Sequence, residues 1–326
     1  MRLDDIGFYT MSDERAQQAS VASPLWRCEL VLSSRCNFHC PYCRHVGGKD
    51  QGYKDAATLV RQWAADGLKN IRFSGGEPTL HDYLPDLCAL SRDCGIERIA
   101  ISTNGSAPTA IYERLVGCGV NDFSVSLDAC CAEDGDKMAG GIKGAFKVII
   151  GNIRWMATHG YTTVGVVLTD DNIDTINDII RLADSLGVSD IRIIPAAQHS
   201  TRFPEVRVDK ALLARYPILR YRVLNLQAGR TVRGLADNDP RRCPMVLDDM
   251  AVNQGKHYPC IIYMREAGRE IGPIGQNVRL ERQHWYETHD TYSDPICRTN
   301  CLDVCIDYNR RYDATHQPIT AQGLRC

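Results

Sequence analysis

From about residue 27 to 195 the chain alternates short strand-like runs with helix-like runs, and this constrains its fold more than any other feature. The strand candidates are CELVLSS (28–34), NIRFS (70–74), RIAIST (98–103), DFSVSL (122–127), TTVGVVL (162–168) and DIRIIP (190–195). They are short and rich in Val and Ile, with little polar alternation, as expected for strands covered on both faces. Between them lie amphipathic stretches such as DAATLVRQWAADG and IDTINDIIRLADSLG, most ending in Gly at the helix stop. Repeated β-then-α units predict a parallel sheet with right-handed crossovers. Six strands are too few for a full eight-fold barrel, so the expected fold class is α/β, a partial (β/α)6 TIM-like barrel.

Beyond Pro195 the pattern changes. Residues 196–208 read as a loop and 209–227 as a helix interrupted at Pro217. From 236 onward the composition is loop-like and carries Cys243, Cys260, Cys297, Cys301, Cys305 and Cys326. A segment with so little apolar periodicity needs a metal to hold it, so a small cluster-binding C-terminal domain is expected. The resulting division is an N-terminal extension (1–26), the barrel (27–208), a linker helix (209–235) and the cysteine-bearing domain (236–326).

Bulk properties bound the function. The net charge is -2 and no long Lys/Arg run occurs, which argues against a nucleic-acid partner. There is no signal-peptide h-region and no apolar stretch of membrane-spanning length, so the expected location is the cytosol. Fifteen cysteines in such a chain point to metal binding rather than a disulfide framework.

The first cysteine group reads Ser33-Ser-Arg-Cys36-Asn-Phe-His-Cys40-Pro-Tyr-Cys43-Arg, a C-x₃-C-x₂-C loop directly after the first strand. Thiolates are the preferred ligands of iron–sulfur clusters, and three of them leave one iron of a cubane without a protein ligand. Two other readings stay open on spacing alone: tetrahedral zinc with His39 or His45 as the fourth ligand, and plain structural cysteines.

With Tyr42 at its aromatic position, this loop resembles the signature of the radical S-adenosylmethionine (SAM) superfamily. Further segments match in order: Gly75-Gly76-Glu77-Pro78 after the second strand, Ser102-Thr103-Asn104-Gly105 after the third, and Ser126-Leu127-Asp128 ending the fourth. The resemblance covers about residues 27–195. It implies that Cys36, Cys40 and Cys43 hold a [4Fe–4S] cluster. SAM would lie against Tyr42, Gly75, Gly76, Glu77, Ser102, Asn104 and Ser126. It implies reductive cleavage of SAM to a 5′-deoxyadenosyl radical that abstracts substrate hydrogen, with electrons from a flavodoxin- or ferredoxin-type donor. Many relatives place an Arg after the fourth strand to pair with the SAM carboxylate; residues 134–146 contain none, and Lys137 or Lys143 is the candidate substitute.

The C-terminal pattern, Cys243, then Gly255-Lys-His-Tyr-Pro-Cys260, then Cys297-x₃-Cys301-x₃-Cys305, resembles the auxiliary-cluster extensions called SPASM and Twitch. That likeness implies one auxiliary [4Fe–4S] cluster held by Cys243, Cys260 and two of Cys297, Cys301 and Cys305, with zinc as the alternative. Asn253-Gln-Gly255-Lys is the predicted hairpin turn before Cys260.

Other residues are weighed more simply. Cys130 and Cys131 fall near the barrel mouth, as hydrogen donors, metal ligands or ordinary loop cysteines. Cys28, Cys88, Cys94 and Cys118 fall on strand or helix patterns and are expected in the core. Asp128 is a candidate substrate-side acid or base, or a cap. Arg192 and Gln198 are expected near the cavity. The function expected is oxidation or rearrangement of a small polar molecule. About 27 residues precede the first strand, too few for a leader-binding domain, which sets ribosomal-peptide maturation second. A reaction like GTP 3′,8-cyclase comes last, because the distal C-x₂-C-x₁₃-C pattern and terminal Gly-Gly are missing. The rival from another class is a non-catalytic zinc or iron–sulfur protein.

Overall fold

Each predicted strand forms within a residue or two of its expected bounds: β1 (Arg27–Ser33), β2 (Asn70–Gly75), β3 (Arg98–Thr103), β4 (Asp122–Ser126), β5 (Tyr161–Leu168) and β6 (Asp190–Pro195). The structure, a computed structural model, describes residues 2–8, 11–44, 47–197, 208 and 210–316. The six strands lie parallel and in sequence order. Helices α2 (Tyr53–Ala65), α3 (Leu84–Asp93), α4 (Thr109–Gly117), α5 (Ala132–Met138), α6 (Ala145–Ala157) and α7 (Ile176–Ser185) cross between them, after a short α1 (Asp13–Gln18). The sheet runs β6 to β1 without closing, a partial barrel.

Two expectations need correction. The strands are not covered on both faces by apolar packing. Cys28, Leu30, Leu32, Ile71, Phe73, Ile99, Ile101, Phe123 and Val125 pack under the helices. The opposite, inner face carries Glu29, Arg72, Ser74, Ser102, Ser124, Ser126 and Arg192 around a cavity. NIRFS and DFSVS therefore do alternate, with a polar lumen on one side. Of the four cysteines expected in the core, Cys28 and Cys88 are buried, whereas Cys94 and Cys118 are half-buried.

The second correction concerns the C-terminal part, which is not loop-like. The helix expected at 209–227 is broken as Pro217 requires, into α8 (Lys210–Arg215) and α9 (Pro217–Gln227), with the proline in the first turn. Beyond it, β7 (Asp249–Asn253) pairs in parallel with the free edge of β1. β8 (Lys256–Tyr258) and the two-residue β9 (Gly272–Pro273) extend the same sheet, so the order becomes β6-β5-β4-β3-β2-β1-β7-β8-β9. The β7–β8 hairpin turns at Gln254 and Gly255, both at positive φ (51° and 72°), the conformation of a tight two-residue hairpin. Helices α10 (Ile261–Arg265), α11 (Val278–Thr288), α12 (Pro295–Asn300) and α13 (Asp303–His316) follow.

The N-terminal residues belong to this second layer. Leu3, Ile6, Met11 and Ala16 share a core with Tyr221, Met245, Val304, Tyr308 and Tyr312. Arg15 pairs with Asp248, Arg27 with Asp249, and Arg311 Nε reaches Asp13 at 2.9 Å. Fully buried Arg222 of α9 pairs with fully buried Asp303 at the start of α13, whose other oxygen accepts from Asn225 Nδ2 at 2.7 Å. No helix among the described residues is long and apolar enough to cross a membrane.

Removing one partner of a buried ion pair strands the other charge away from water. Asp303→Ala is expected to cost about 3–5 kcal/mol in chemical denaturation, and the double substitution Arg222→Met with Asp303→Leu to recover most of that loss.

Candidate functional site

The cysteine loop leaves β1 at Ser33 and is clamped at once by the segment that follows β2. Gly76 N–H donates to Ser33 O at 2.7 Å and Glu77 N–H to Arg35 O at 2.8 Å. The approach is so close that a Cβ on Gly75 would lie 2.3 Å from Ser33 O, and one on Gly76 2.2 Å from Arg35 O. Only glycine fits at either position. Cys36, Cys40 and Cys43, all half-buried and free, then line one cavity of about 420 Å³ at the mouth of the barrel. Burial, followed by the charge of Asp128 and of the other two thiols, pushes the Cys40 thiol up to about 12; the Cys36 thiol is likewise raised. Forming three thiolates here requires a strong local cation, which is what an iron cluster supplies.

Around one tetrahedral zinc, sulfurs bound at ~2.3 Å sit within about 4 Å of each other. Among the described residues the one group of three or more such side chains whose ligand atoms all lie within 4.8 Å is His289, Asp294 and Cys297; Cys36, Cys40 and Cys43 form no such group. Three free thiols lining one cavity fit the donor set of a multi-iron cluster. His39 is absent from the cavity lining, and His45 lies outside the described residues.

The structure places the other expected residues in two roles. Gly75, Gly76, Ser102, Asn104, Ser126, Tyr42 and Asp128 line the cavity with the three thiols. Glu77 does not. Its buried carboxylate accepts from Thr79 N and Oγ1 (3.1 and 2.7 Å), Thr103 Oγ1 (2.8 Å) and Asn104 N (2.7 Å), tying the ends of β2 and β3 together. Asn104 in turn points Nδ2 at Asn37 Oδ1 (2.9 Å) and toward Cys36 Sγ (3.9 Å). The resemblance implies a cofactor contact for Glu77; the geometry makes it a brace beneath the cofactor's place.

Asp128 is also committed. One oxygen accepts from Val167 N at 2.6 Å and the other from the Tyr42 hydroxyl, which ties the cysteine loop to the end of β4. Lys137 is exposed and lies 3.8 Å from Asp171, and neither it nor Lys143 lines the cavity. Arg192 does, together with Glu29, Arg72, Ser74, Arg233 and Arg265, none of which except Arg192 stood out in the sequence. Cys130 is half-buried and Cys131 exposed, its thiol 3.2 Å from Asp134 Oδ2. Gln198 and Cys326 lie outside the described residues.

The five C-terminal cysteines converge as well. Cys243, Cys260, Cys297, Cys301 and Cys305 line a single small cavity walled by apolar side chains including Ile262, Trp285 and Ile306. Cys260 caps α10, Cys297 lies within α12 and Cys301 caps its C-terminal end, and Cys305 rides on α13. Burial raises the Cys301 thiol well above its ordinary value, and the other four thiols add to it. Asn309 Nδ2 approaches Cys243 Sγ at 3.6 Å. Five free thiols packed among apolar groups around one cavity fit the donor set of a second cluster, and Cys297 also falls with His289 and Asp294 in a group whose ligand atoms lie within 4.8 Å of one another. Ile262 lines both cavities.

Residues 30–183 match the Radical SAM superfamily. This segment is a radical SAM domain. Members of that superfamily use a [4Fe–4S] cluster together with SAM. Among curated proteins, the chain is similar to the probable GTP 3′,8-cyclase of Metallosphaera sedula, 31% identical over 52% of this chain and 56% of that protein. It is 30% identical to the GTP 3′,8-cyclase of Synechococcus sp. (strain CC9902) over 56% of this chain and 59% of that protein. The chain thus spans little more than half the length of the curated relatives it matches. Among solved structures, the fold resembles Streptococcus suis SuiB (TM-score 0.57, 16% identity, 82% of this chain and 66% of SuiB). It also resembles anSMEcpe with bound AdoMet (TM-score 0.58, 14% identity, 90% and 96%). The matched segment carries most of β1 and all of β2 to β5; β6 and the five-cysteine cavity lie beyond it.

Burial raises the Asp128 carboxyl from its ordinary 3.8 to about 6, against the lowering effect of the bonds from Tyr42 and Val167. A carboxyl that ionises less readily when folded contributes stability below its unfolded pKa and loses it as pH rises through the folded one. Asp128→Asn removes the charge and keeps one acceptor oxygen for Val167 N–H, while its amide nitrogen can only donate to the Tyr42 hydroxyl. Its stability relative to wild type, read from denaturation midpoints, is expected to improve by on the order of 3 kcal/mol as pH rises from below about 4 to above about 6.

Proposed function

We propose that this chain is a radical SAM enzyme that abstracts hydrogen from a small polar substrate, with a second, auxiliary [4Fe–4S] cluster in its C-terminal part. The observation that carries this reading is that Cys36, Cys40 and Cys43 line one polar barrel cavity together with strand-end glycines and hydroxyls. Bound there, a [4Fe–4S] cluster and SAM supply one-electron reductive cleavage of the sulfonium and a 5′-deoxyadenosyl radical for hydrogen abstraction.

The chain's own residues hold and orient these groups. Cys36, Cys40 and Cys43 would hold the cluster, leaving one iron free to take SAM. The backbone of Gly75 and Gly76 lies open on the cavity, where it would receive the SAM amino group. Ser102 and Asn104 would contact the ribose, and Ser126 the methionyl end. Glu77 fixes Thr103 and Asn104 from beneath, and Tyr42 with Asp128 fixes the cysteine loop against β4. Asp128, with both oxygens engaged, acts as a positioning residue rather than an acid or base. Cys243, Cys260 and two of Cys297, Cys301 and Cys305 hold the auxiliary cluster, with Ile262 lining both their cavity and the barrel cavity. The electron donor is a low-potential carrier of flavodoxin or ferredoxin type.

A second reading, cyclisation of GTP, is favoured by the names of the curated relatives. Incubation with GTP separates it from the first reading by the appearance of a cyclised product.

Anaerobically reconstituted wild-type protein is expected to contain iron and sulfide for two cubane clusters and to release 5′-deoxyadenosine from SAM and dithionite. Cys36→Ala is expected to retain iron for one cluster and to release none. Zinc in place of iron, or undiminished release by the variant, would contradict the assignment.

A further inference from the structure

The cations of the barrel cavity are not matched by its acids. Arg192 stands on β6 with its Nε buried and without a partner, and its Nη2 reaches only Ser124 Oγ, at a long 3.4 Å. Arg233 is anchored at the end of the same strand, donating from Nε to Pro195 O at 2.9 Å and from Nη1 toward Asn300 O at 3.4 Å. Both line the cavity that holds the three thiols. Of the two carboxylates lining it, Asp128 accepts from Tyr42 and Val167, and Glu29 accepts from Ser74 Oγ at 2.6 Å; neither forms an ion pair with Arg192 or Arg233. Asp122, buried below, lies 3.8 Å from Arg72. No carboxylate among the described residues pairs with Arg192 or Arg233.

Arg192 and Arg233 are half-buried, and a buried guanidinium nitrogen without a partner, as at Arg192 Nε, is costly; an anion in the cavity relieves that cost. The space for that is built in. Gly165, opposite Arg192 on β5, leaves its side open; a Cβ there would lie 3.3 Å from Arg192 Nη2. A guanidinium fork matches carboxylate and phosphate oxygens in pairs.

We propose that Arg192 and Arg233 form an anion subsite that holds a carboxylate or phosphate of the substrate, so that the substrate of this enzyme is an anionic small molecule. The inference rests on the radical SAM reading of the same cavity. SAM brings a carboxylate of its own, but the residues assigned to SAM lie at the ends of β2, β3 and β4, whereas Arg192 stands on β6, beyond β5, and Arg233, which follows α9, is held to the end of β6 by its bond to Pro195 O.

The test uses the reconstituted, SAM-saturated full chain under anaerobic conditions, titrated with inorganic pyrophosphate by calorimetry. Wild type is expected to bind it. Arg192→Met and Arg233→Met are each expected to weaken it about tenfold, with a smaller loss for Arg192→Lys. SAM affinity, measured in parallel, is expected to change less than pyrophosphate affinity. Failure of SAM-loaded wild type to bind, or equal binding by both Met variants, overturns the subsite. A loss of SAM affinity in Arg192→Met as large as the loss of pyrophosphate overturns it too, since the guanidinium then serves the SAM carboxylate. If Arg192→Met does not fold, Arg233→Met and Arg192→Lys decide. Absence of 5′-deoxyadenosine release from wild type that binds pyrophosphate normally would instead sink the radical reading.

Discussion

Everything in the site depends on how closely the backbone after β2 presses on the cysteine loop. Two hydrogen bonds, Gly76 N–H to Ser33 O and Glu77 N–H to Arg35 O, fix the loop before its first ligand. They form only because neither Gly75 nor Gly76 has a Cβ. The carboxylate of the next residue, Glu77, closes the arrangement from below by collecting donors from β2 and β3. A buried carboxylate with four donors is stable where an unpaired one would not be. The segment therefore clamps the loop with its backbone and locks two neighbouring strand ends with its side chain.

The second constraint is the division of the sheet into an apolar outer face and a polar inner one. Helices cover the first; the second surrounds a cavity with Arg72, Ser74, Ser124 and Arg192. The sheet then grows past β1 through β7 to β9, so the hairpin carrying Cys260 is continuous with the barrel. This continuity explains why Ile262 borders both cysteine cavities. Both cysteine cavities are thus built on one continuous sheet.

Much of this was legible in the sequence. All six barrel strands, the Pro217 break and the Gln254–Gly255 turn follow from β-propensity, proline chemistry and hairpin preference. The C-terminal helices were not legible, and α13 shows why. Its buried face mixes Val304, Ile306 and Tyr308 with Asp303 and Asn309, so polar residues interrupt the apolar period. β7 is only five residues long and gains its place from β1, a partner more than 200 positions away. Glu77 was legible as a site residue but not as a brace, since four converging donors exist only in three dimensions. Arg233 and Arg265 had no local signal at all. Arg72 had one, the polar positions alternating along NIRFS, once the inner face is known to be wet.

The central claim is an iron left open by its three thiolates. Electron paramagnetic resonance of the dithionite-reduced, reconstituted protein tests it directly, recorded before and after SAM is added. The account predicts that one cluster signal changes on adding SAM, that the second is unaffected, and that the responsive signal is missing from the Cys40→Ala variant. Spectra indifferent to SAM, or a SAM-responsive signal that survives in that variant, would contradict it.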